Sequence, residues 1–170
     1  IESLQQSETE LTDRVLKIEN ADINLLQTIP GIGGLTSRVI ISALDDVNRF
    51  DNEKSVAKYG AMTPRVYQSG NVTRLGRISR DGRLEVRRML LQCAHTVTRM
   101  KSYESRPLRE FFQRIQRRRS KKIAVVALAR KLLTIAYGVL RTKKAYDQLS
   151  QFKPSEYPPT RGYTQTKLYQ

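Results

Sequence analysis

Pro64-Arg65-Val66-Tyr67-Gln68-Ser69-Gly70-Asn71-Val72-Thr73-Arg74-Leu75-Gly76-Arg77-Ile78-Ser79-Arg80-Asp81-Gly82-Arg83-Leu84-Glu85-Val86-Arg87-Arg88 is the stretch around which the chain is organised. One Ser-Gly pair, Ser69-Gly70, opens it, and six arginines follow: Arg74, Arg77, Arg80, Arg83, Arg87 and Arg88. Gly70, Gly76 and Gly82 punctuate the run, so it reads as a turning loop that brings main chain close to a ligand. A small hydroxyl in a flexible turn, ringed by permanent cations, is the setting a nucleophile needs beside a phosphodiester. Two readings fit these residues. Ser69 attacks a phosphate of DNA, or Ser69 is an ordinary turn residue in a basic loop that holds nucleic acid.

Downstream, Leu84, Met89, Leu90 and Cys93 place apolar residues at helical spacing and predict a helix from about Arg83 to Met100. Pro107 breaks the chain, and a second helix is expected over 108–118. Arg114, Arg117, Arg118 and Arg119 close it, with Lys121 and Lys122 beyond. That cluster is either a solvated face or a set of phosphate contacts. Ser120 is placed to cap a last helix, residues 121–146, which is apolar around most of its circumference and so belongs in a core. From 149 to 170 the chain gains proline and tyrosine, loses periodicity and reads as an extended tail.

Upstream, residues 45–62 predict a loop and a short helix, with Asn52 as N-cap and Gly60 as stop. Phe50, Val56, Ala57 and Tyr59 are core candidates there. Residues 25–42 run Leu-Leu-Gln-Thr-Ile29-Pro30-Gly31-Ile32-Gly33-Gly34-Leu35 and on into a second apolar helix. This order resembles the helix-hairpin-helix motif. Gly31 and Gly33 would expose main-chain N–H groups at a helix N-terminus, where a phosphate binds regardless of base sequence, while Ile29 and Ile32 anchor the turn. The alternative is a glycine turn with no ligand. In residues 1–24, Leu4, Leu11, Ile18 and Leu25 recur every seven residues, as in a coiled-coil-like helix that pairs with a second chain or packs on its own domain. The expected fold class is therefore all-α: residues 1–24 end a coiled-coil-like helix, 25–148 form a compact helical domain, and 149–170 are tail. No strand is expected.

The formal net charge is +15. Residues 1–60 carry six Lys/Arg against ten Asp/Glu, whereas residues 61–170 carry 25 against six. An excess this concentrated points to a polyanion, nucleic acid first. A single cysteine, Cys93, excludes an internal disulfide and suits a reducing compartment, and a single histidine, His95, excludes a multi-histidine metal site. The longest apolar stretch, 123–140, holds Arg130-Lys131 at its centre, which argues against a membrane span. Ile1 is not a natural start, and the chain reads as the C-terminal piece of something longer.

Taken in order, Ile29-Pro30-Gly31-Ile32-Gly33, Arg49-Phe50, Lys58-Tyr59-Gly60-Ala61-Met62-Thr63-Pro64, Ser69-Gly70, Ile78-Ser79-Arg80-Asp81-Gly82 and Val86-Arg87-Arg88-Met89-Leu90 resemble one family. It is the C-terminal domain of the insertion-sequence one-ten transposases, with their one-sixteen and nine-oh-two relatives, also called bridge recombinases. The likeness covers about residues 25–145. It implies a domain that works beside a RuvC-like nuclease domain, here absent, and a coiled-coil linker; the acidic cluster of the nuclease domain binds Mg²⁺, and no cofactor is expected in this segment. It implies DNA and a structured guide RNA as partners, a homo-oligomer, and a prokaryotic, cytoplasmic, nucleoid-associated setting with no membrane. It also implies that the serine matching Ser69 is the nucleophile and forms a phosphoserine link to DNA. Arg74, Arg77, Arg80 and Arg87 are the candidates for a guanidinium cage around it. Gly31, Gly33, Gly70, Arg83, Arg88, Arg117, Arg118 and Arg119 are the candidate nucleic-acid contacts. One departure is that Asp81 and Arg83 flank Gly82, where the family usually has Lys or Arg before the glycine and Asn or a similar residue after it.

Overall fold

The computed structural model describes residues 20–69 and 72–146. In chain order these form α1 (Ala21–Gln27), α2 (Gly34–Leu44), a 3-10 turn (Val47–Arg49), α3 (Glu53–Tyr59), β1 (Pro64–Ser69), β2 (Val72–Ile78), α4 (Leu84–Arg99), α5 (Arg106–Gln116) and α6 (Lys121–Thr142). Helix dominates, as expected, and the long C-terminal helix is present. Most of the residues expected to form the coiled-coil-like helix, the Gly70 position and the tail lie outside the described residues.

α6 is the axis of the fold. Val125, Leu128, Leu132, Leu133, Ala136, Val139 and Leu140 recur around its circumference and are all buried. α1, α3, α4, α5 and the 3-10 turn pack against it. Each fully buried leucine contributes about 1.5–3 kcal/mol from water exclusion, so the helix that most of the others pack on is also the one that holds them. It has the length and mean hydropathy of a membrane span, 22 residues and 1.8, but 56% of its apolar window is covered by the rest of the fold. Lys143, in the left-handed conformation (φ 55°), ends it one turn earlier than the apolar pattern suggested.

Polar ties fix the helices in place. The Tyr137 hydroxyl donates to the Phe50 carbonyl at 2.9 Å and accepts from Arg141 Nη1 at 2.7 Å. Asn52 caps α3 as expected, accepting from the N–H groups of Lys54 and Ser55, and Gly60 ends it. Gly31 (φ +85°) turns the chain from α1 to α2 against α4, where an added Cβ would stand 2.5 Å from Val97 Cγ2. Ile29 and Ile32 on either side are buried, as expected. Asp22 of α1 pairs with Lys143 just past α6 at 2.6 Å, and Tyr146 N–H donates to Thr28 Oγ1 at 2.9 Å.

The expectation of an all-α fold is corrected by one element. β1 and β2 form an antiparallel hairpin within the stretch read as a loop. The physical reason is local. Val66 and Tyr67 precede, and Val72, Thr73 and Ile78 follow, a two-residue Gly70-Asn71 connection, which is the composition and spacing of a tight β-hairpin. Along β1, Arg65 to Ser69 are all exposed, so the usual alternation of apolar and polar residues is missing from that strand.

Candidate active site

The β-hairpin carries Ser69 to its outer end. Ser69 pairs with Val72, Gln68 with Thr73, Tyr67 with Arg74 and Val66 with Leu75. Successive residues of a strand point to opposite faces, and opposed residues share one. Ser69, Tyr67 and Arg74 therefore lie on the same face of the ladder, with Arg74 two pairs nearer the foot. Ser69 and Arg74 are both exposed. Lower down, Gly76 and Arg77 oppose the single residue Arg65, a β-bulge that bends the ribbon. Gly76 lies under the Tyr67 ring, where a Cβ would come within 2.6 Å of Cε2. The hairpin foot is anchored: Ser79 N–H donates to the Thr63 carbonyl at 2.9 Å, and Met62 N–H to that of Ala57 at 2.8 Å.

Beyond β2 the chain is held tightly against the end of α3. Buried Ser79 bonds through Oγ to Asp81 Oδ2 and accepts at 3.0 Å from the Asp81 N–H. Arg87, in the first turn of α4, reaches back to donate to the Ser79 carbonyl at 3.3 Å. Gly82 (φ +122°) lies so close to α3 that an added Cβ would stand 2.9 Å from both Ala61 N and Lys58 O. Arg83 then donates through its N–H to the Tyr59 carbonyl at 2.7 Å and through Nε to the Tyr59 hydroxyl at 3.0 Å. The unusual Asp81 thus has a structural partner in Ser79, and Arg83 has one in Tyr59.

This geometry divides the arginines expected to cage Ser69. Arg74 shares the serine's face near the tip. Arg77 belongs to the bulge, and Arg80 and Arg87 to the foot, five residues or more down a ribbon that rises about 3.3 Å per residue. Arg77, Arg80, Arg83 and Arg88 are exposed, and Arg87 is half-buried. The other candidate contacts lie elsewhere. Gly31 is packed on α4, with its Cβ position 3.1 Å from the Cys93 carbonyl, while exposed Gly33 is the N-cap of α2 and has open space around it. Arg117, Arg118 and Arg119 are exposed in the turn between α5 and α6. Among the described residues no group of three His, Cys, Asp or Glu could hold a metal ion.

The residues missed in the sequence are Arg49 and Tyr59. The Arg49 guanidinium lies 4.7 Å from the centroids of both the Phe50 and Tyr59 rings, and Arg83 approaches Tyr59 from a second direction, 6.0 Å from its centroid. Phe50 and Tyr59 meet edge-on at 5.3 Å. The hydrogen bond from Arg83, then the one from Arg49, hold the Tyr59 phenol below its ordinary pKa. The signal was present as the Arg49-Phe50 and Tyr59-Gly60 pairs, but sequence separation hid that they meet.

Comparison with known proteins falls on this same region. The profile of the Transposase IS116/IS110/IS902 family matches residues 23–110. The chain is 34% identical over 132 residues to the pilin gene-inverting protein of Moraxella bovis, a match covering 76% of this chain and 40% of that protein. It is 31% identical over 138 residues to the transposase for insertion sequence element IS1328 of Yersinia enterocolitica, covering 81% and 41%. A third relative, the transposase for insertion sequence element IS1111A of Coxiella burnetii, is 28% identical over 127 residues, covering 75% and 35%. The chain spans about two-fifths of the length of the first of these relatives.

Proposed function

The chain belongs to the Transposase IS116/IS110/IS902 family, and from that premise we propose that it is the serine-bearing half of a DNA recombinase. Ser69 Oγ attacks a phosphodiester of DNA. The Oγ–P bond forms, one P–O bond to a deoxyribose breaks, and the freed sugar hydroxyl takes up a proton. The serine's own proton passes to an acceptor outside this segment. Attack by a sugar hydroxyl on the phosphoserine then joins the strands with no net change in the number of phosphodiesters. The observation that carries this reading is the exposed hydroxyl at the end of a projecting β-hairpin, on one face with Arg74. A serine is a weak nucleophile until a base or a local field activates it, and a guanidinium on the same face favours the alkoxide and the charge that builds on phosphorus.

In this reading a RuvC-like domain supplies the Mg²⁺-binding carboxylates, and no step of the serine chemistry is routed through the metal. Arg77, Arg80 and Arg87, at the bulge and foot, meet the attacked phosphate only when a partner domain or second copy bends the DNA toward them. Gly33 and the Arg117–Arg119 turn hold backbone, in keeping with a helix-hairpin-helix role for residues 25–42, and a structured guide RNA selects the site. The working state is an oligomer in the bacterial cytoplasm, at the nucleoid.

The spread of the arginines along the hairpin favours a second reading, a non-catalytic nucleic-acid-binding module in which Ser69 only ends a strand. One experiment separates the two. Full-length protein is incubated with its DNA, the reaction is quenched in denaturant, and any covalent adduct is mapped by mass spectrometry. The first reading expects a phosphodeoxyribose-modified peptide containing Ser69. An adduct on another residue, or recombination undiminished in Ser69→Ala, overturns it.

A further inference from the structure

We infer that Arg49, Tyr59 and Arg83 form a seat for a nucleic-acid phosphodiester at the foot of the β-hairpin, remote from Ser69 at its tip. The inference rests on nucleic acid being the substrate class, as proposed above, but not on Ser69 being a nucleophile. Two guanidinium groups from separate elements converge on one phenol: Arg49 from the 3-10 turn, Arg83 from the N-cap of α4. Like charges brought together repel unless an anion is present or each has a carboxylate. Neither is in an ion pair; among the described residues such pairs join Arg106 to Glu110 and Lys143 to Asp22. Glu85, one residue into α4, acts on Arg83 only through space.

The hydrogen-bond inventory leaves the right groups over. Arg83 uses Nε on the Tyr59 oxygen, which leaves its two terminal nitrogens for an outside acceptor. Arg49 uses Nη2 on the Ala43 carbonyl at 3.1 Å and holds its guanidinium carbon 4.7 Å from the centroids of two rings, so its position is set before any ligand arrives. The Tyr59 oxygen accepts from Arg83, which leaves its own O–H as a donor. The phenol is also more acidic than usual, which strengthens a bond donated to an anionic oxygen. Arg49 and Arg83 are exposed, and Gly82, pressed on the end of α3, holds the start of α4 beside Tyr59.

The test is equilibrium binding of the chain to a duplex DNA and to a stem-loop RNA across a salt series from about 50 to 200 mM. Arg49→Gln and Arg83→Gln should each weaken binding across sequences and lower the salt slope by about one. Tyr59→Phe, which keeps the stacking ring, should weaken binding severalfold with the slope unchanged. Loss on the DNA arm, the RNA arm or both supports the seat and identifies whose phosphate it holds. Variants with a wild-type melting temperature, affinity and slope overturn it. If a variant does not fold, wild-type chain titrated with dimethyl phosphate decides: the Nε–H resonances of Arg49 and Arg83 should move together, and a titration that leaves both still overturns the seat. Binding lost in the seat variants with no adduct at Ser69 sinks the nucleophile and keeps the seat. An adduct at Ser69 with normal binding in all three variants does the reverse.

Discussion

Arg83 is fastened to Tyr59 twice, by its main-chain N–H on the Tyr59 carbonyl at 2.7 Å and by its Nε on the Tyr59 hydroxyl at 3.0 Å. These two residues are 24 apart in sequence and bracket the entire β-hairpin. The double tie closes the hairpin's base onto the helical body. The position of Ser69 is therefore set from its foot, by Tyr59, Gly82, Arg83 and the Ser79–Thr63 bond, and not by packing around the serine itself.

Ser69→Ala is expected to leave stability within about 0.5 kcal/mol of wild type, since the residue is exposed and the substitution removes no buried partner. In full-length protein it is expected to abolish the covalent DNA adduct while DNA affinity stays near wild type. Urea denaturation of the chain and a gel-shift titration of the full-length protein check the two halves of that expectation.

Gly82→Ala is expected to cost about 2–5 kcal/mol. The added methyl meets main-chain atoms of α3 that cannot rotate away, and φ of +122° is a conformation that alanine resists. The loss is read from the denaturation midpoint. A midpoint within experimental error of wild type contradicts the close approach of the two segments.

Tyr137→Phe is expected to destabilise by about 1–3 kcal/mol, because it strands the carbonyl of buried Phe50 and removes the acceptor used by Arg141. Leu132→Ala, at the centre of α6, is expected to cost about 2–5 kcal/mol from the cavity it leaves. Paired denaturation curves distinguish a hydrogen-bond loss of the first size from a packing loss of the second.

The Tyr59 phenol is expected to ionise below the ordinary tyrosine range, with Arg83 the largest cause and Arg49 the next. Between the lowered folded value and the unfolded value of about 10, the native state binds fewer protons than the unfolded chain. Stability from this group is thus complete above the unfolded value, and it is lost as pH falls through the folded one. Absorbance titration against a Tyr59→Phe blank measures the midpoint, and Arg83→Gln should move that midpoint upward. A midpoint unaffected by Arg83→Gln contradicts the cause.

Much of the helical framework was legible in the sequence because each boundary had a local cause. Asn52 offered a side-chain acceptor, Gly60 a stop, and the apolar circumference of 121–142 a buried axis, whereas Pro107, read as a break, stands in the first turn of α5. The β-hairpin was not legible by periodicity because β1 is exposed from Arg65 to Ser69 without alternation; only Val66, Tyr67, Val72 and Thr73 around Gly70-Asn71 mark it, and the arginines and glycines obscured them. The candidate site was legible residue by residue but not as an arrangement. Treating 64–88 as one flexible loop brought Arg74, Arg77, Arg80 and Arg87 together around Ser69, whereas strand pairing spaces them along a ribbon. Arg49 and Tyr59 joined the picture only through tertiary contact.

The clasp between Asp22 and Lys143, with Tyr146 bonded to Thr28, has a mechanical corollary. The polypeptide enters and departs the described fold at a single corner. A short linker from residue 146 back to residue 20 would close the circle, and a new opening at the hairpin tip would make a circular permutant with the helical body undisturbed.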